Sequence, residues 1–281
     1  QMKKILIPID FKFNSHDAID YAIRFFKREQ CEFYFLNTYT YDISGLNTID
    51  LLQADDDWYD KPKCASEDNL GKLIQKYAFN SRDSKHHFSA ISECSNLIEG
   101  MKKAMKDIKI DLVVLPGKDR TGEDSIRYSR NTKRIIEHIR ECPVMIIPAS
   151  SKMHKKPKFV LVSRFDIDLP ISELENWYEL VQIAKGNIKI VTLSGKDDLT
   201  EKQKSNQCKV RYHLEMLSGE KIKIEYIENA PALKDFARYH SDYIMCLIDR
   251  KPDLWRKIGI TYSKITNLGP LLSTPLIALH R

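Results

Sequence analysis

Short unbroken apolar runs alternate with stretches of helical period, and this alternation constrains the fold more than any other feature. "KKILIPID" (3–10), "CEFYFLNTYTY" (31–41), "HHFSAISE" (86–93), "DLVVLPG" (111–117) and "CPVMIIPA" (142–149) each read as a strand. Runs apolar on both faces are what a central parallel strand requires. Between them the period changes. In "FNSHDAIDYAIRFFKRE", Asn14 or Ser15 caps and Ala18, Ala22, Phe25 and Phe26 share a face. "SEDNLGKLIQKYAF" (66–79) is a second helix. "NLIEGMKKAMKDI" (96–108) follows with Asn96 and Glu99 spaced as a capping box, and Leu97, Met101, Met105 and Ile108 on one side. "YSRNTKRIIEHIRE" (128–141) faces Tyr128, Thr132, Ile135 and Ile139 inward. Strand and helix alternating over 150 residues predict an α/β fold, a doubly wound parallel sheet.

The order then repeats beyond the lysine-rich linker "SKMHKKPK" (151–158). "KFVLVSRFD" echoes "KKILIPIDF", "IKIVTLSG" echoes "FYFLNTYT", "DYIMCLIDR" echoes "DLVVLPGKD" and "TPLIALHR" echoes "CPVMIIPAS". "ELENWYELVQIAKGN" is a helix with Leu174, Trp177, Val181 and Ala184 on one face and Gly186 in its C-terminal turn. "KIKIEYIEN" is a strand, and "PALKDFARYH" a helix starting at Pro231. Phe33 to Ile188 is a shift of 155 and Asp111 to Asp242 a shift of 131, so the second copy is shorter by 24 residues. The irregular segment 41–64 is about that long and reads as an insertion or lid. Two tandem domains, 1–150 and 156–281, account for both halves.

Composition excludes several classes. No apolar stretch approaches the roughly 20 residues of a membrane-spanning helix, and no leader pattern precedes "KKILIPID", so a cytoplasmic protein is expected. A net charge of +6 is mild for 281 residues, and aromatic and basic residues do not interleave, so no nucleic-acid partner is expected. The six cysteines form no CxxC pair and read as free thiols. His86 and His87 lack further ligands at useful spacing and read as surface residues. "ADDDWYD" (54–60) lacks the glycine turn and closing Glu of a calcium loop. No metal site and no nucleophile elbow, HExxH motif or acid/base pair is visible.

One stretch does invite a ligand: "LPGKDRTGEDSIRYSRNT" (115–132). Gly117 and Gly122 have GxxxxG spacing, but Glu123 and Asp124 stand where a P-loop needs Lys and Ser or Thr, and would repel a phosphate.

The residues "ILIPIDFKFNSHDAI" and "DLVVLPGKDR…CPVMIIP" resemble the universal stress protein family in its tandem two-domain form. The resemblance covers nearly the whole chain, more weakly after residue 152. It implies an adenine-nucleotide-hydrolase-like fold and, in ATP-binding members, Gly, two residues, Gly, nine residues, then Gly and a hydroxyl residue. Glycines there let the main chain approach phosphates at a helix start. Laid on this chain, the pattern falls on Gly117, Arg120, Arg130 and Asn131, or on Thr132 with a one-residue shift. Only Gly117 is kept. The resemblance also puts Asp10 near the adenine edge and Thr38 at the second strand's end. In the second half Arg164 takes Asp10's place, and no glycine pair follows "CLIDRKPDLWRK".

Two readings of the first half stay open. Arg120, Arg127 and Arg130 replace amides with charge-assisted hydrogen bonds to ATP; alternatively they fill the space glycine left and oppose the helix dipole. The leading expectation is a non-catalytic stress-response protein with a degraded ATP site and no cofactor. An ATP-binding, slowly hydrolysing switch is the second, and a scaffold docking a protein partner on 41–64 the third. The resemblance further implies that "CPVMIIP" and "TPLIALH" pair, making the two domains a pseudo-dimer, with a homodimer of tandem chains as a further possibility.

Overall fold

A computed structural model describes residues 2–11, 15–41, 56–80, 85–117, 128–149, 151–257, 260–271 and 273–280. It divides into two compact units, Gln1–Ser15 with Glu29–Val113, and His16–Arg28 with Val114–Arg281. Both are α/β with parallel strands and flanking helices.

In the first unit the strands are β1 (Lys3–Pro8), β2 (Cys31–Tyr39), β3 (His86–Cys94) and the start of β4 (Leu112–Pro116), in the order β3-β2-β1-β4. All neighbours are parallel; Ile5 pairs with Phe33 on one side and Leu112 on the other. Asp111 ties the β1 edge twice, its carboxylate accepting from Lys4 N–H at 2.8 Å and its own N–H donating to the Lys4 carbonyl at 2.9 Å. Ile5, Leu6, Ile7, Phe33, Phe35 and Leu36 are fully buried, as runs apolar on both faces require.

In the second unit the order is β5-β10-β9-β6-β7-β8, from β5 (Val144–Ile147), β6 (Lys158–Ser163), β7 (Asn187–Thr192), β8 (Ile224–Tyr226), β9 (Tyr243–Asp249) and β10 (Leu276–His280). β6, β7, β8, β9 and β10 run parallel to their neighbours within this group. β5 and β10 instead pair antiparallel, Met145 opposite Ile277. Val144, Met145, Ile277 and Ala278 are fully buried there.

The helices show which local signals held. In α1 (His16–Phe25), Ala18, Ala22 and Phe25 are buried, as is Phe26 just beyond. α2 (Asp56–Asn80) corrects the sequence expectation: the helix starts ten residues earlier than read, inside the stretch taken as irregular, and carries Pro62 within it. Asp57 and Asp60 lie in its first turns, where acidic residues complement the helix dipole. The rest of the supposed lid, 42–55, lies outside the described residues. α3 (Leu97–Asp107) has the Asn96 half of the expected capping box, Asn96 Oδ1 accepting from Glu99 N–H at 3.1 Å. Its buried stripe is rotated from the one read, however, onto Ile98, Gly100, Met101 and Ala104. α4 (Arg130–His138) buries Thr132 and Ile135, with Tyr128 and Ile139 at its ends.

In α5 (Ile171–Ile183), Leu174, Trp177 and Val181 are buried as read, with Ala184 at the C-cap. Gly186 closes the turn, donating to the Val181 carbonyl at 2.9 Å. The left-handed residue is Lys185, φ 52°, so conformation does not explain the glycine. Closeness does, because a Cβ on Gly186 would lie 2.5 Å from the Phe159 ring.

α6 (Glu201–Ser218) has no counterpart in the sequence reading. Its ends were nonetheless written plainly: a reciprocal Thr200–Gln203 capping box and Gly219 in the left-handed conformation at φ 69°. α7 (Ala230–Arg238) starts at Asn229 with Pro231 in its first turn. α8 (Leu254–Lys257) and α9 (Lys264–Leu268) are short. His86 is another correction: it is buried, edge-on to Phe33 at 5.1 Å, while His87 is exposed. Its neighbour Phe33 demands cover at that end of β2, which an alternating pattern could not reveal.

Candidate functional site

Of the described residues expected to hold a nucleotide, Thr38, Gly117 and Thr132 are engaged in packing or capping, while Arg130 and Asn131 are exposed. In the first unit Ile9 donates from N–H to the Leu36 carbonyl at 2.7 Å, and Asn37 Nδ2 donates to the Ile9 carbonyl at 2.9 Å, with Asp10 following, half-buried. Thr38 turns its methyl toward α3, where a Cβ on Gly100 would stand 2.6 Å away. In the second unit Gly117 is buried at the end of β4, its N–H bonded to the Ile147 carbonyl at 2.6 Å. A Cβ there would come within 3.0 Å of Pro148 Cα, main chain that cannot swing aside, so this glycine is needed for close approach of two strand ends. Arg130 and Asn131 are exposed in the first turn of α4. Thr132 is buried, its N–H bonded to Ser129 Oγ at 3.1 Å and its hydroxyl 2.9 Å from the same oxygen. Arg120 and Arg127 lie outside the described residues.

The second unit holds a charged site that the sequence reading missed. Four ionised side chains converge where β9 ends: Arg140 beyond α4, Glu137 on α4, Asp249 closing β9 and Arg256 on α8. Asp249 is 3% exposed, and Arg256 and Glu137 are 9%. Arg140 forms an ion pair with Asp249 Oδ2 through Nη1, and its Nη2 donates to the Asp249 carbonyl at 3.0 Å. Arg256 donates to Glu137 Oε2 from Nε at 3.0 Å and Nη2 at 2.7 Å, and to Asp249 at 2.9 and 3.2 Å. The other oxygen, Glu137 Oε1, accepts from the Ser263 N–H at 2.7 Å and the Thr266 hydroxyl at 2.9 Å. Two cations thus face two anions, and both carboxylates are fully engaged, which is the condition for burying charge.

Burial alone would push the Glu137 carboxyl up. The Ser263, Arg256 and Thr266 hydrogen bonds outweigh it and hold the group below its ordinary value. Burial likewise works against the charge on Arg256, but hydrogen bonds to Asp249 and Glu137 prevail and raise it. His280, the register partner of Asp249, is 7% exposed with no hydrogen-bond partner on either nitrogen among the described residues. Burial, then the charges of Arg140 and Arg256, pull its pKa down to about 3, so it stays neutral.

Beside this cluster, α6 closes the ends of β6 and β7. Gln203 Nε2 donates to the Arg164 carbonyl and Asn206 Nδ2 to the Phe165 carbonyl, both at 2.8 Å. Gln207 Nε2 donates to Thr192 Oγ1 at 2.7 Å. Strand ends that hold ligands in open α/β sheets are here met by the chain's own polar groups. Among the described residues no three His, Cys, Asp or Glu side chains gather as for a metal ion, and no helix is long and apolar enough to cross a membrane.

Mostly parallel strands flanked by helices, in βα order from β1 onward, define an α/β fold of the doubly wound type. The profile of the universal stress protein family matches residues 2–148, and the chain belongs to that family. No curated protein matches its sequence significantly. Among solved structures, a universal stress protein from Archaeoglobus fulgidus DSM 4304 aligns at 16% identity and TM-score 0.67, over 99% of this chain and 98% of that one. A putative universal stress protein from Pseudomonas aeruginosa UCBPP-PA14 aligns at 10% identity and TM-score 0.61, over 99% and 92%. The cytoplasmic domain of a prokaryotic cation chloride cotransporter aligns at 12% identity and TM-score 0.54, over 99% and 95%. At these identities the likeness is one of fold.

Proposed function

We propose that the chain is a tandem universal stress protein acting in the cytoplasm as a regulatory or protective, non-catalytic factor, with its ATP site degraded. One observation carries the reading: a Cβ on Gly117, the single phosphate-loop glycine kept, would stand 3.0 Å from Pro148 Cα, so packing gives this glycine a reason that needs no ligand. Thr132 points the same way, since its hydroxyl is spent on the Ser129 cap. The tandem organisation, 1–150 and 156–281, draws support from two matching caps. Tyr128-Ser129-x-x-Thr132 starts α4 and Tyr262-Ser263-x-x-Thr266 starts α9, each serine accepting from the threonine N–H, at 3.1 and 2.9 Å. The antiparallel β5–β10 pair supports a pseudo-dimer within the chain. No membrane or nucleic-acid partner enters this reading.

Isothermal titration of the purified chain with ATP tests it. No saturable heat is expected up to millimolar nucleotide. Micromolar binding abolished by Arg130→Glu would overturn the reading and favour the ATP switch. Arg130 is the better control, because it is exposed and a change at Gly117 would disturb β4.

A further inference from the structure

Glu137 is held as an oxyanion ligand is held. Its two oxygens receive a forked guanidinium, a hydroxyl and a main-chain amide, all between 2.7 and 3.0 Å. Charge-assisted, forked contacts of this kind are how proteins grip carboxylates and phosphates. The positive charge comes from Arg256, not from α9, whose five residues carry little dipole. The carboxylate arrives from α4, 119 to 129 residues away in sequence, so no local turn explains its place. In register with Asp249, and within the field of Arg256, stands His280, nine-tenths buried with both nitrogens unsatisfied among the described residues. Buried polar atoms without partners mark a place built around polar occupancy rather than an apolar core.

We propose that Arg256, Ser263 and Thr266 form an oxyanion seat which the chain fills from within, the Glu137 carboxylate acting as a built-in competitor of phosphate. The C-terminal half is thereby closed to phosphate-bearing ligands while keeping the groups that would bind them. Asp249 reinforces the closure: its carboxylate holds the other edge of Arg256 and keeps the guanidinium turned toward Glu137. This inference stands apart from the reading of the Gly117 loop, and ATP heat lost on Arg130→Glu would leave it untouched.

The test is Glu137→Ala in the full chain. Thermal unfolding is followed in sodium chloride and in sodium phosphate of matched ionic strength. Wild type should melt alike in both. The variant should melt lower in chloride and be raised by phosphate, by roughly 2–4 °C at about ten times its dissociation constant. Formate should also raise it, by replacing the lost carboxylate. Adenosine monophosphate, titrated in a parallel arm, distinguishes a seat open to phosphate esters from one that takes only the free ion; stabilisation by either supports the seat. Adding Arg256→Gln to the variant should remove the response. If the alanine variant is unfolded in chloride, phosphate or formate must restore its native circular dichroism. The idea is overturned by an anion response no larger than wild type's, by a response that survives Arg256→Gln, or by an unfolded variant that anions do not rescue.

Discussion

His280 should give this protein an acid-sensitive stability whose loss begins near pH 6.5, above the point where carboxylates start to titrate. Its pKa lies at about 3 in the folded chain against 6.5 when free. A group whose folded value is depressed stabilises fully above its unfolded value, and the stability drains away as pH falls toward the folded one. The groups that face it are Asp249, its register partner, and the cations Arg140 and Arg256. Between pH 6.5 and 4.5 the unfolded chain takes up a proton that the native chain refuses. At about 1.36 kcal/mol per unit, this removes up to roughly 2.7 kcal/mol. Glu137, also depressed, acts in the same sense but only below its ordinary value of 4.5. The perturbation is His280→Leu, which keeps bulk and removes both orphaned nitrogens. Urea unfolding is followed by circular dichroism from pH 7 to 4.5 for both proteins. At pH 7 the variant should be as stable as wild type or more so, since two unsatisfied buried atoms are gone. The stability difference should then swing in its favour by about 2–3 kcal/mol by pH 4.5. A difference that stays constant over this range would refute the reasoning, for it would mean that His280 protonates as freely in the fold as out of it.

Two further outcomes follow from the same geometry. Arg256→Leu should destabilise by about 3–5 kcal/mol in urea unfolding, because it leaves the buried carboxylate of Glu137 without its cation; a loss under 1 kcal/mol would show the cluster to be hydrated. Gly117→Ala should cost about 1–3 kcal/mol without any nucleotide present, as its Cβ meets Pro148 main chain at 3.0 Å, and an unchanged urea midpoint would return the glycine to a ligand role.

The strands were legible because burial on both faces writes a signal that needs no partner to interpret. "ILIPI", "LVVLP" and "VMII" could be little else. α6 was not, since its inward face is polar. Gln203, Asn206 and Gln207 are buried among Val210 and Leu214, so the apolar period that betrays a helix is interrupted. Their burial makes sense only beside the carbonyls of Arg164 and Phe165 and the Thr192 hydroxyl, which lie 15 to 41 residues away. The charged cluster was hidden for the same reason on a larger scale. Glu137 looks like one more exposed residue of an amphipathic helix, and Asp249 like the polar stop of a strand. Only the fold brings them to Arg256. Gly117 carries two signals at once: the residue type suits a phosphate loop, and a strand end packed on Pro148 favours glycine as well.

These hidden residues share one task. A parallel sheet presents its carboxyl ends as a row of carbonyls and amides that a ligand ordinarily covers. In the second unit three of these ends have their own cover. β6 and β7 are met by the amides of α6, and β9 by Arg140 and Arg256. Unsatisfied main-chain and charged groups buried at such ends cost about 1–3 kcal/mol each or more. Internal partners at these ends therefore contribute directly to holding the fold. Glu137 goes further than that requirement, because it brings a new charge into the interior instead of satisfying an old group. Water or a neutral Gln would have met the Ser263 amide and the Thr266 hydroxyl. Only an anion meets them and balances the buried Arg256 as well, so the choice of Glu follows from the charge it faces.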